Sequence, residues 1–339
     1  MTGAYRDFAA IRAALQGLPS ANAAAIEGAR ARNDQLTKPA GALARLEDCV
    51  QFLAGWQHRA VPRLDRTQIL IFAGNHGVTA RGVSAYPAAV TVQMVANFQT
   101  GGAAINQLAK LHGADLSVHA IDLDRPTADF TEADAMTEAD CLVAINRGVA
   151  AVKADADLLI LGEMGIGNTT AAAALAAALF GGDAGSWVGP GTGVAGAALQ
   201  AKVSAVDTAL LYHGDSLRDP LEALRRVGGR ELAAMFGALL AARRMGLPVL
   251  LDGFVVGAAA GVLAALSAEG LAHCLAGHVS AEPGHRRLLD HLQKVPLLDL
   301  GMRLGEGSGA AVALGILKAA VACHAGMATF AEASVSNRS

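Results

Sequence analysis

Short apolar runs alternate with longer segments of helical pattern from residue 68 onward. The runs have the length and composition of buried β-strands, and the segments between them carry apolar residues at helical spacing. Such alternation predicts parallel βα units and therefore an α/β fold. The predicted strands are residues 68–73, 115–121, 157–161, 186–188 and 247–251, and the predicted helices between them are 90–111, 139–154 and 169–180.

Both chain ends differ from this pattern. Residues 1–60 show helical periodicity at 8–15, 23–32 and 43–56 and no strand signal, and the last helix is predicted at 309–329. We therefore predict a small helical domain built from residues 1–60 and the C-terminal helix 309–330. The α/β domain would cover 61–308, and residues 331–339 would form a flexible tail.

Composition is typical of a globular enzyme, with 53% hydrophobic and 17% charged residues. The most apolar stretch, residues 254–266, is too short for a bilayer span and is interrupted by Gly257 and Gly261, so we expect a buried helix and no membrane partner. Arg6, Asp7 and Arg12 lie where a signal peptide would be apolar, and the expected compartment is the cytoplasm.

Metal, disulfide and nucleic-acid sites are not expected. The cysteines show no CxxC spacing and no accompanying histidine cluster, and the net charge of −3 comes with basic residues spread along the chain. Small molecules are therefore the expected partners. The four cysteines are Cys49, Cys141, Cys274 and Cys323.

Two glutamates stand between glycines where predicted strands end. Glu306 lies within Leu-Gly-Met-Arg-Leu-Gly-Glu-Gly-Ser-Gly (300–309), and Glu163 follows Gly162. Glycines let a ligand approach the backbone, and apolar flanks should raise a carboxyl pKa toward the range of a general base. The alternative for each is a tight turn with a solvated surface charge.

Three further segments offer donors for an anion. Residues 162–170 run from a strand into a helix with Asn168 or Thr169 as N-cap, and they lack the P-loop lysine. Residues 191–196 match GxGxxG, but the preceding strand is short and Asp207 falls inside a helical pattern, so we favour an anion-binding turn over a dinucleotide site. Lys202 is either a phosphate partner or a solvated helix lysine. Ser280, in the polar loop 277–285, could hold a phosphate, and this set is expected to supply donors only.

The segment after the first strand brings together polar groups and an aromatic ring. Ser84, Tyr86 and, in the next helix, Gln93 could surround a planar ligand that stacks on the ring. His76 lies between glycines, and its commoner role would be hydrogen bonding to loop backbone.

These segments, in this order, resemble the nicotinate-nucleotide:dimethylbenzimidazole phosphoribosyltransferase family. The resemblance covers most of the chain. It implies a cytoplasmic, homodimeric enzyme with a Rossmann-like parallel sheet, flanking helices and a small helical domain from both chain ends. The matching motifs are 36–47 (LTKPAGALARLE), 76–78 (HGV), 82–87 (GVSAYP), 90–94 (VTVQM), 101–106 (GGAAIN), 162–170 (GEMGIGNTT), 280–285 (SAEPGH) and 300–310 (LGMRLGEGSGA).

The resemblance also implies an activity and roles for residues. Phosphoribose would pass from nicotinate mononucleotide to 5,6-dimethylbenzimidazole, without cofactor or metal, in the assembly of the cobalamin lower ligand. Glu306 matches the general base and Glu163 a second acidic position. The expected base-binding residues are Ser84, Tyr86, Gln93, Met164 and Leu304, and the expected phosphate and ribose ligands are Gly165, Gly167, Asn168, Thr169, Gly191, Thr192, Gly193, Lys202 and Ser280.

Two positions depart from the family pattern and leave the choice of base open. Asn75 stands where the family usually has Asp, near the expected planar pocket, and Pro190 stands where it commonly has Arg. Purines or phenols are therefore alternatives to dimethylbenzimidazole. Two other functions also stay open, namely an NAD-dependent oxidoreductase based on the GxGxxG match and a nucleotide-binding protein without catalysis.

Overall fold

One parallel sheet forms the centre of the molecule. The computed structural model describes residues 4–336, and its six strands follow the order β2-β1-β3-β4-β5-β6. All five strand pairings are parallel, so the predicted α/β class is confirmed. The strands are β1 (Thr67–Ala73), β2 (Asp115–Ala120), β3 (Leu158–Met164), β4 (Val249–Leu251), β5 (Cys274–His278) and β6 (Pro296–Leu298).

Helices cover both faces of the sheet. They are α1 (Phe8–Ala13), α2 (Ala23–Gln35), α3 (Arg45–Gln57), α4 (Ala89–Thr100), α5 (Ala104–His112), α6 (Glu138–Ala151), α7 (Asn168–Phe180), α8 (Ala197–His213), α9 (Pro220–Val227), α10 (Arg230–Met245), α11 (Phe254–Leu266), α12 (Pro283–His291) and α13 (Ser308–Gly326). Short 3₁₀ helices lie at Gly77–Arg81, Ala184–Ser186 and Gly214–Arg218.

Alternating side chains of the central strands enter two separate hydrophobic cores. Leu70 and Phe72 of β1 pack in the core that holds α6, α7, α10 and α11, whereas Ile69 and Ile71 pack in the core that holds α3, α5 and α13. A strand buried on both faces reads as a continuous apolar run, which explains why β1 and β3 are evident in the sequence. The chain runs from β1 outward to β2 and then back to β3 on the other side of β1, and ligands bind at such a switch point in open α/β sheets.

The predicted strand at 186–188 is wrong. Residues 184–186 form a 3₁₀ helix, and Trp187 is fully buried with its indole N–H donating to the Gly181 carbonyl at 2.8 Å. Its apolar character reflects core packing rather than sheet pairing. Two strands, β5 and β6, lack a clear signal because β5 ends in Gly277 and His278 and β6 begins at Pro296 on the sheet edge.

The predicted helix over 90–111 is two helices. Its first part, α4, ends at Thr100 with Gly101 as a left-handed C-cap at φ 83°, and α5 begins at Ala104. A residue with a side chain rarely adopts that backbone conformation, so Gly101 ends the first helix.

The two chain ends meet beside the sheet. Arg32 of α2 donates to the carbonyls of His324 and Met327, and Leu36 forms an antiparallel bridge with Thr329. Helices α3 and α13 share one core with a face of the sheet, so their division into a separate small domain over 1–60 and 309–330 stays a prediction. Of the predicted flexible tail, residues 331–336 are exposed and 337–339 lie outside the described residues.

Helix α13 is long and apolar enough to cross a membrane by length and composition alone. Its residues Ala313, Leu314 and Leu317 are buried in the core beside the sheet. The core helix of a globular protein has the same composition, so this helix is only weak evidence for a membrane span.

A close contact between α6 and α10 gives a stability prediction. A Cβ at Gly148 would overlap the Ala234 carbonyl oxygen, whereas a Cβ at Gly326 would meet no atom within 4 Å. We expect Gly148→Ala to lower the free energy of unfolding by about 1–3 kcal/mol through overpacking, as measured by denaturant titration. The matched control Gly326→Ala should be neutral, and equal stability of the two variants would contradict this packing.

Candidate active site

A cavity of about 560 Å³ opens at the carboxyl ends of β3, β4, β5 and β6. These ends lie side by side because the strands are parallel neighbours. The cavity lining comes from six segments of the chain, within 86–94, 163–169, 191–192, 253–256, 278–282 and 303–306. It is lined by Tyr86, Val90, Met94, Glu163, Met164, Gly165, Ile166, Asn168, Thr169, Gly191, Thr192, Gly253, Phe254, Val255, Val256, His278, Ser280, Glu282, Arg303, Leu304, Gly305 and Glu306.

Glu306 reaches the cavity from an unusual backbone turn. Its φ is 64°, and its neighbours Gly305 and Gly307 have φ of 82° and 77°, so three successive residues are left-handed. The turn packs directly on β3, since a Cβ at Gly162 would lie 2.5 Å from the Glu306 carbonyl carbon. The side chain is 5% exposed, and this burial, with the nearby Asp252 charge, raises the Glu306 pKa to about 7.

Glu163 lies in β3 next to its last residue and lines the same cavity. The Asn168 side-chain amide donates to its carboxylate. Burial raises the Glu163 pKa to about 8; the Asn168 hydrogen bond opposes this shift, and the charges of Asp252, Glu231 and Glu306 add to it. The structure therefore brings together the two glutamates that the sequence singles out, and neither is a solvated surface charge.

Asp252 and His278 border this pair and were not predicted. Asp252 follows β4 directly, is buried, and accepts the N–H groups of Gly307 and Ala310 at 3.2 and 2.8 Å. The His278 Nε2 lies 3.4 Å from its Oδ1. The signal was available, because Asp252-Gly253 after an apolar run repeats the pattern of an acid beside glycine at a strand end.

Lys202 of α8 is buried, so the alternative of a solvated lysine is wrong. Its Nζ donates to the Thr169 hydroxyl at 2.9 Å and to the Gly189 carbonyl at 2.8 Å. It lies behind the wall formed by Thr169 and Gly191 rather than in the cavity lining. Burial lowers the Lys202 pKa to about 8, against the opposing effect of the Glu282 carboxylate.

A carboxylate also lies among the segments that are predicted to bind an anion. Glu282 lines the cavity, and its Oε1 accepts the N–H of Gly191 at 2.9 Å. Burial raises the Glu282 pKa, while Lys202 and the Gly191 N–H lower it. The sequence signal for this carboxylate is its position in the polar loop 277–285, two residues after Ser280. Ser280 also lines the cavity, and its hydroxyl accepts the Glu282 N–H at 3.2 Å.

The residues predicted to bind a planar base are only partly at the cavity. Tyr86, Met164 and Leu304 line it, with Tyr86 and Leu304 exposed at its mouth. Ser84 lies outside the lining and contacts the Thr192 hydroxyl at 3.1 Å. Gln93 is exposed on another face of α4 and does not line the cavity.

Helix α4 presents Val90 and Met94 to the cavity instead of Gln93. They lie four residues apart, the spacing that places side chains on one helix face, and this signal was missed.

Most of the predicted phosphate and ribose ligands lie at the cavity. Gly165, Thr169, Gly191, Thr192 and Ser280 line it, and Asn168 lines it while donating to Glu163. Gly167, Gly193 and Lys202 do not line it. Gly167 is instead the left-handed N-cap of α7 at φ 92°.

The structural context of a dinucleotide-binding GxGxxG turn is missing around residues 191–196. The turn follows a 3₁₀ helix rather than a strand, and Asp207 lies inside α8.

Of the two departures from the family pattern, Asn75 does not line the cavity, and its amide donates to the Leu123 carbonyl at 2.7 Å, so its expected place beside the base is wrong. The Pro190 carbonyl accepts the N–H groups of Gly193 and Val194.

His76 pairs with a carboxylate rather than with loop backbone. Its Nε2 lies 2.6 Å from Glu231 Oε1, and both side chains are fully buried. A Cβ at Gly165 would lie 3.3 Å from the His76 ring, so this pair supports the glycine turn from behind the cavity.

The chain is similar over nearly its full length to proteins of one family. A family model described as phosphoribosyltransferase matches residues 18–335. A nicotinate-nucleotide–dimethylbenzimidazole phosphoribosyltransferase of Ruegeria pomeroyi is 59% identical over 99% of this chain and all of that protein, and one of Cereibacter sphaeroides is 58% identical over 99% of both. The crystal structure of CobT from Thermus thermophilus superposes with a TM-score of 0.86 at 43% identity, covering 93% of this chain and all of that one.

Proposed function

The chain belongs to the nicotinate-nucleotide–dimethylbenzimidazole phosphoribosyltransferase family, and we propose that it transfers phosphoribose from nicotinate mononucleotide to 5,6-dimethylbenzimidazole. The products are α-ribazole 5′-phosphate and nicotinate, and the step belongs to the assembly of the cobalamin lower ligand. The observation that carries the proposal is the pair of buried glutamates, Glu163 and Glu306, in one cavity beside a set of backbone donors.

The bond that breaks needs no acid. In nicotinate mononucleotide the ring nitrogen is a pyridinium cation, so the C1′–N electron pair returns to that nitrogen and leaves nicotinate with an uncharged pyridine ring. Positive charge then develops on C1′ and the ring oxygen of the ribose. Catalysis must supply a nucleophile and stabilise that charge.

Glu306 acts as the general base that takes a proton from the benzimidazole. A neutral benzimidazole carries one N–H, and loss of that proton to the Glu306 carboxylate increases electron density on the other nitrogen as it attacks C1′ from the α face. One bond forms to C1′, one breaks to nicotinate, and the proton ends on Glu306. A pKa of about 7 suits this role because the carboxylate is substantially ionised near neutral pH and is still basic.

Glu163 stabilises the charge at C1′. With a pKa of about 8, Glu163 is mostly protonated at neutral pH before the mononucleotide binds. A cationic pyridinium bound beside it favours the ionised carboxylate, which then faces the developing oxocarbenium ion.

The phosphate and ribose bind along the glycine turns. Backbone N–H groups at the start of α7, with the Thr169 and Ser280 hydroxyls, suit the phosphate oxygens. The Glu282 carboxylate would repel a phosphate and suits a ribose hydroxyl, so we place the sugar on its side of the cavity.

Lys202 is expected to support the phosphate side. Lys202→Ala removes the ammonium and leaves the Thr169 hydroxyl and the Gly189 carbonyl without their donor. We expect the KM for nicotinate mononucleotide to rise by about ten- to a hundredfold, the range for one charge-assisted hydrogen bond, because the Thr169 hydroxyl loses the charged donor that orients it toward the phosphate. The KM for the base, which has no phosphate, should change little. Lys110→Ala, a change at an exposed lysine, serves as the control. A raised KM for the base with an unchanged KM for the mononucleotide would reverse the assignment of the two pockets.

The family resemblance further supports a cytoplasmic homodimer. Light scattering of the purified protein should then give about twice the chain mass of 34.4 kDa. A mass of one chain at assay concentration would contradict the homodimer.

The function is tested by nicotinate release that depends on an added base. Purified protein is incubated with nicotinate mononucleotide and, separately, dimethylbenzimidazole, a purine or a phenol, and products are identified by mass. We expect release with dimethylbenzimidazole, and the other two bases report the specificity. No release with any base, together with a rise of Tm in NAD, would favour the oxidoreductase instead.

A further inference from the structure

Asp252 is a fully buried carboxylate that the reaction scheme above does not use. It follows β4, directly before Gly253 of the cavity lining, and its two oxygens accept the N–H groups of Gly307 and Ala310. Both amides belong to the segment that begins immediately after Glu306. Asp252 therefore holds the backbone that carries the expected general base.

That backbone needs an external support. Gly305, Glu306 and Gly307 all have left-handed backbone conformations. Residues other than glycine rarely adopt this conformation, and Glu306 is such a residue. Strain of this kind persists only where the surroundings fix the conformation, and it occurs often at functional sites. On one side of the turn the Ser308 hydroxyl donates to the Gly305 carbonyl at 2.7 Å. Asp252 supplies the bonds on the other side.

Asp252 also caps the N-terminus of α13. Gly307 is the N-cap residue and has no side chain, while Ala310 is the third residue of the helix, whose N–H a capping side chain normally binds. The carboxylate that binds it comes from a different strand. The start of α13, and with it the direction of the Glu306 side chain, is thereby fixed relative to β4.

Charge adds to this geometric role. Burial and the Asp252 charge both raise the Glu306 pKa. Other titratable or charged groups in or beside the cavity come from β3, β5, α10, α12 and the neighbouring loops: Glu163, His278, Glu231, His285, Glu282 and Arg303.

We propose that Asp252 is a positioning residue that holds the Glu306 turn in place for the transfer reaction. The inference rests on the function proposed above. The wild-type protein is therefore assayed first: absence of base-dependent transfer by the wild type would contradict the function, whereas the variants below test only the role of Asp252.

The test is the pH dependence of kcat/KM for the base in Asp252→Asn. The asparagine oxygen can accept, but its NH₂ group would face one of the two N–H donors, and the charge is lost. We expect kcat/KM at its optimum to fall by about ten- to a hundredfold, as misplacement of a catalytic group does. The acidic limb should move to lower pH by about half a unit or more, because removal of a nearby negative charge lowers a carboxyl pKa.

The control is Asp290→Asn, which removes one negative charge at an exposed position on α12 outside the cavity. It should leave kcat/KM and the acidic limb of its pH profile unchanged. Asp252→Ser is a second charge-free variant, used if the asparagine variant does not fold. A folded charge-free variant with the wild-type acidic limb would overturn the inference. Loss of folding in both variants would also overturn it, by assigning Asp252 to stability alone.

Discussion

Glu306→Gln is expected to lower kcat by about 10² or more, the scale for losing a general base. Glutamine is nearly isosteric with glutamate, so the fold and the KM for both substrates should change little. The side chain can still donate or accept hydrogen bonds, but it cannot take the benzimidazole proton. Steady-state kinetics at saturating nicotinate mononucleotide measures this effect.

The pH dependence of kcat/KM distinguishes the loss of a general base from a general loss of activity. In the wild type, kcat/KM for the base should rise with pH through about 7, since Glu306 acts only when deprotonated. The variant should lack this limb. Glu269→Gln, an exposed acid away from the cavity, is the control. A Glu306→Gln enzyme with near-normal kcat at neutral pH would remove Glu306 from its role.

Glu163→Gln is expected to lower kcat by about 10², the scale for removing one group that stabilises transition-state charge. The neutral amide keeps the shape and the contact with Asn168 but cannot become the anion that faces C1′. The KM for dimethylbenzimidazole should change by only a few fold, because the base makes its proton contact with Glu306. A large rise in that KM with an unchanged kcat would place Glu163 in base binding instead. Glu163→Ala should lower kcat at least as much.

Two of the strands that the sequence reveals, β1 and β3, are buried on both faces. Their central residues 69–72 and 158–161 are all apolar because each face of the strand meets a hydrophobic core, so both strands are evident as continuous runs. Strand β5 contains Gly277 because a Cβ there would press on Ala310 of α13, and that requirement arises only when the helix is in place. The run around Trp187 has strand-like composition, but its burial comes from packing against Arg287 and the α7 terminus.

The two glutamates could be predicted because glycines flank both and parallel strands bring their carboxyl ends to one edge. Glu163 lies at the end of β3, whereas Glu306 lies in the turn directly before α13 rather than at a strand end. Gln93 could not be placed, since its side relative to the cavity depends on how α4 is rotated. Lys202 could not be recognised as buried either, because Thr169 and Gly189, its partners, come from other segments of the chain. The role of Asp252 likewise depends on its hydrogen bond to Ala310 of α13. The two residues are far apart in the sequence, so their contact cannot be inferred from it.

The configuration of the product tests the central claim most directly. Nicotinate mononucleotide and 5,6-dimethylbenzimidazole are incubated with the wild-type enzyme, and the ribosylated base is examined by NMR while nicotinate is quantified. Attack from the α face predicts one α-configured ribazole 5′-phosphate for each nicotinate released. A β-configured product, or nicotinate release that proceeds without a base and gives ribose 5-phosphate, would contradict direct transfer in this cavity.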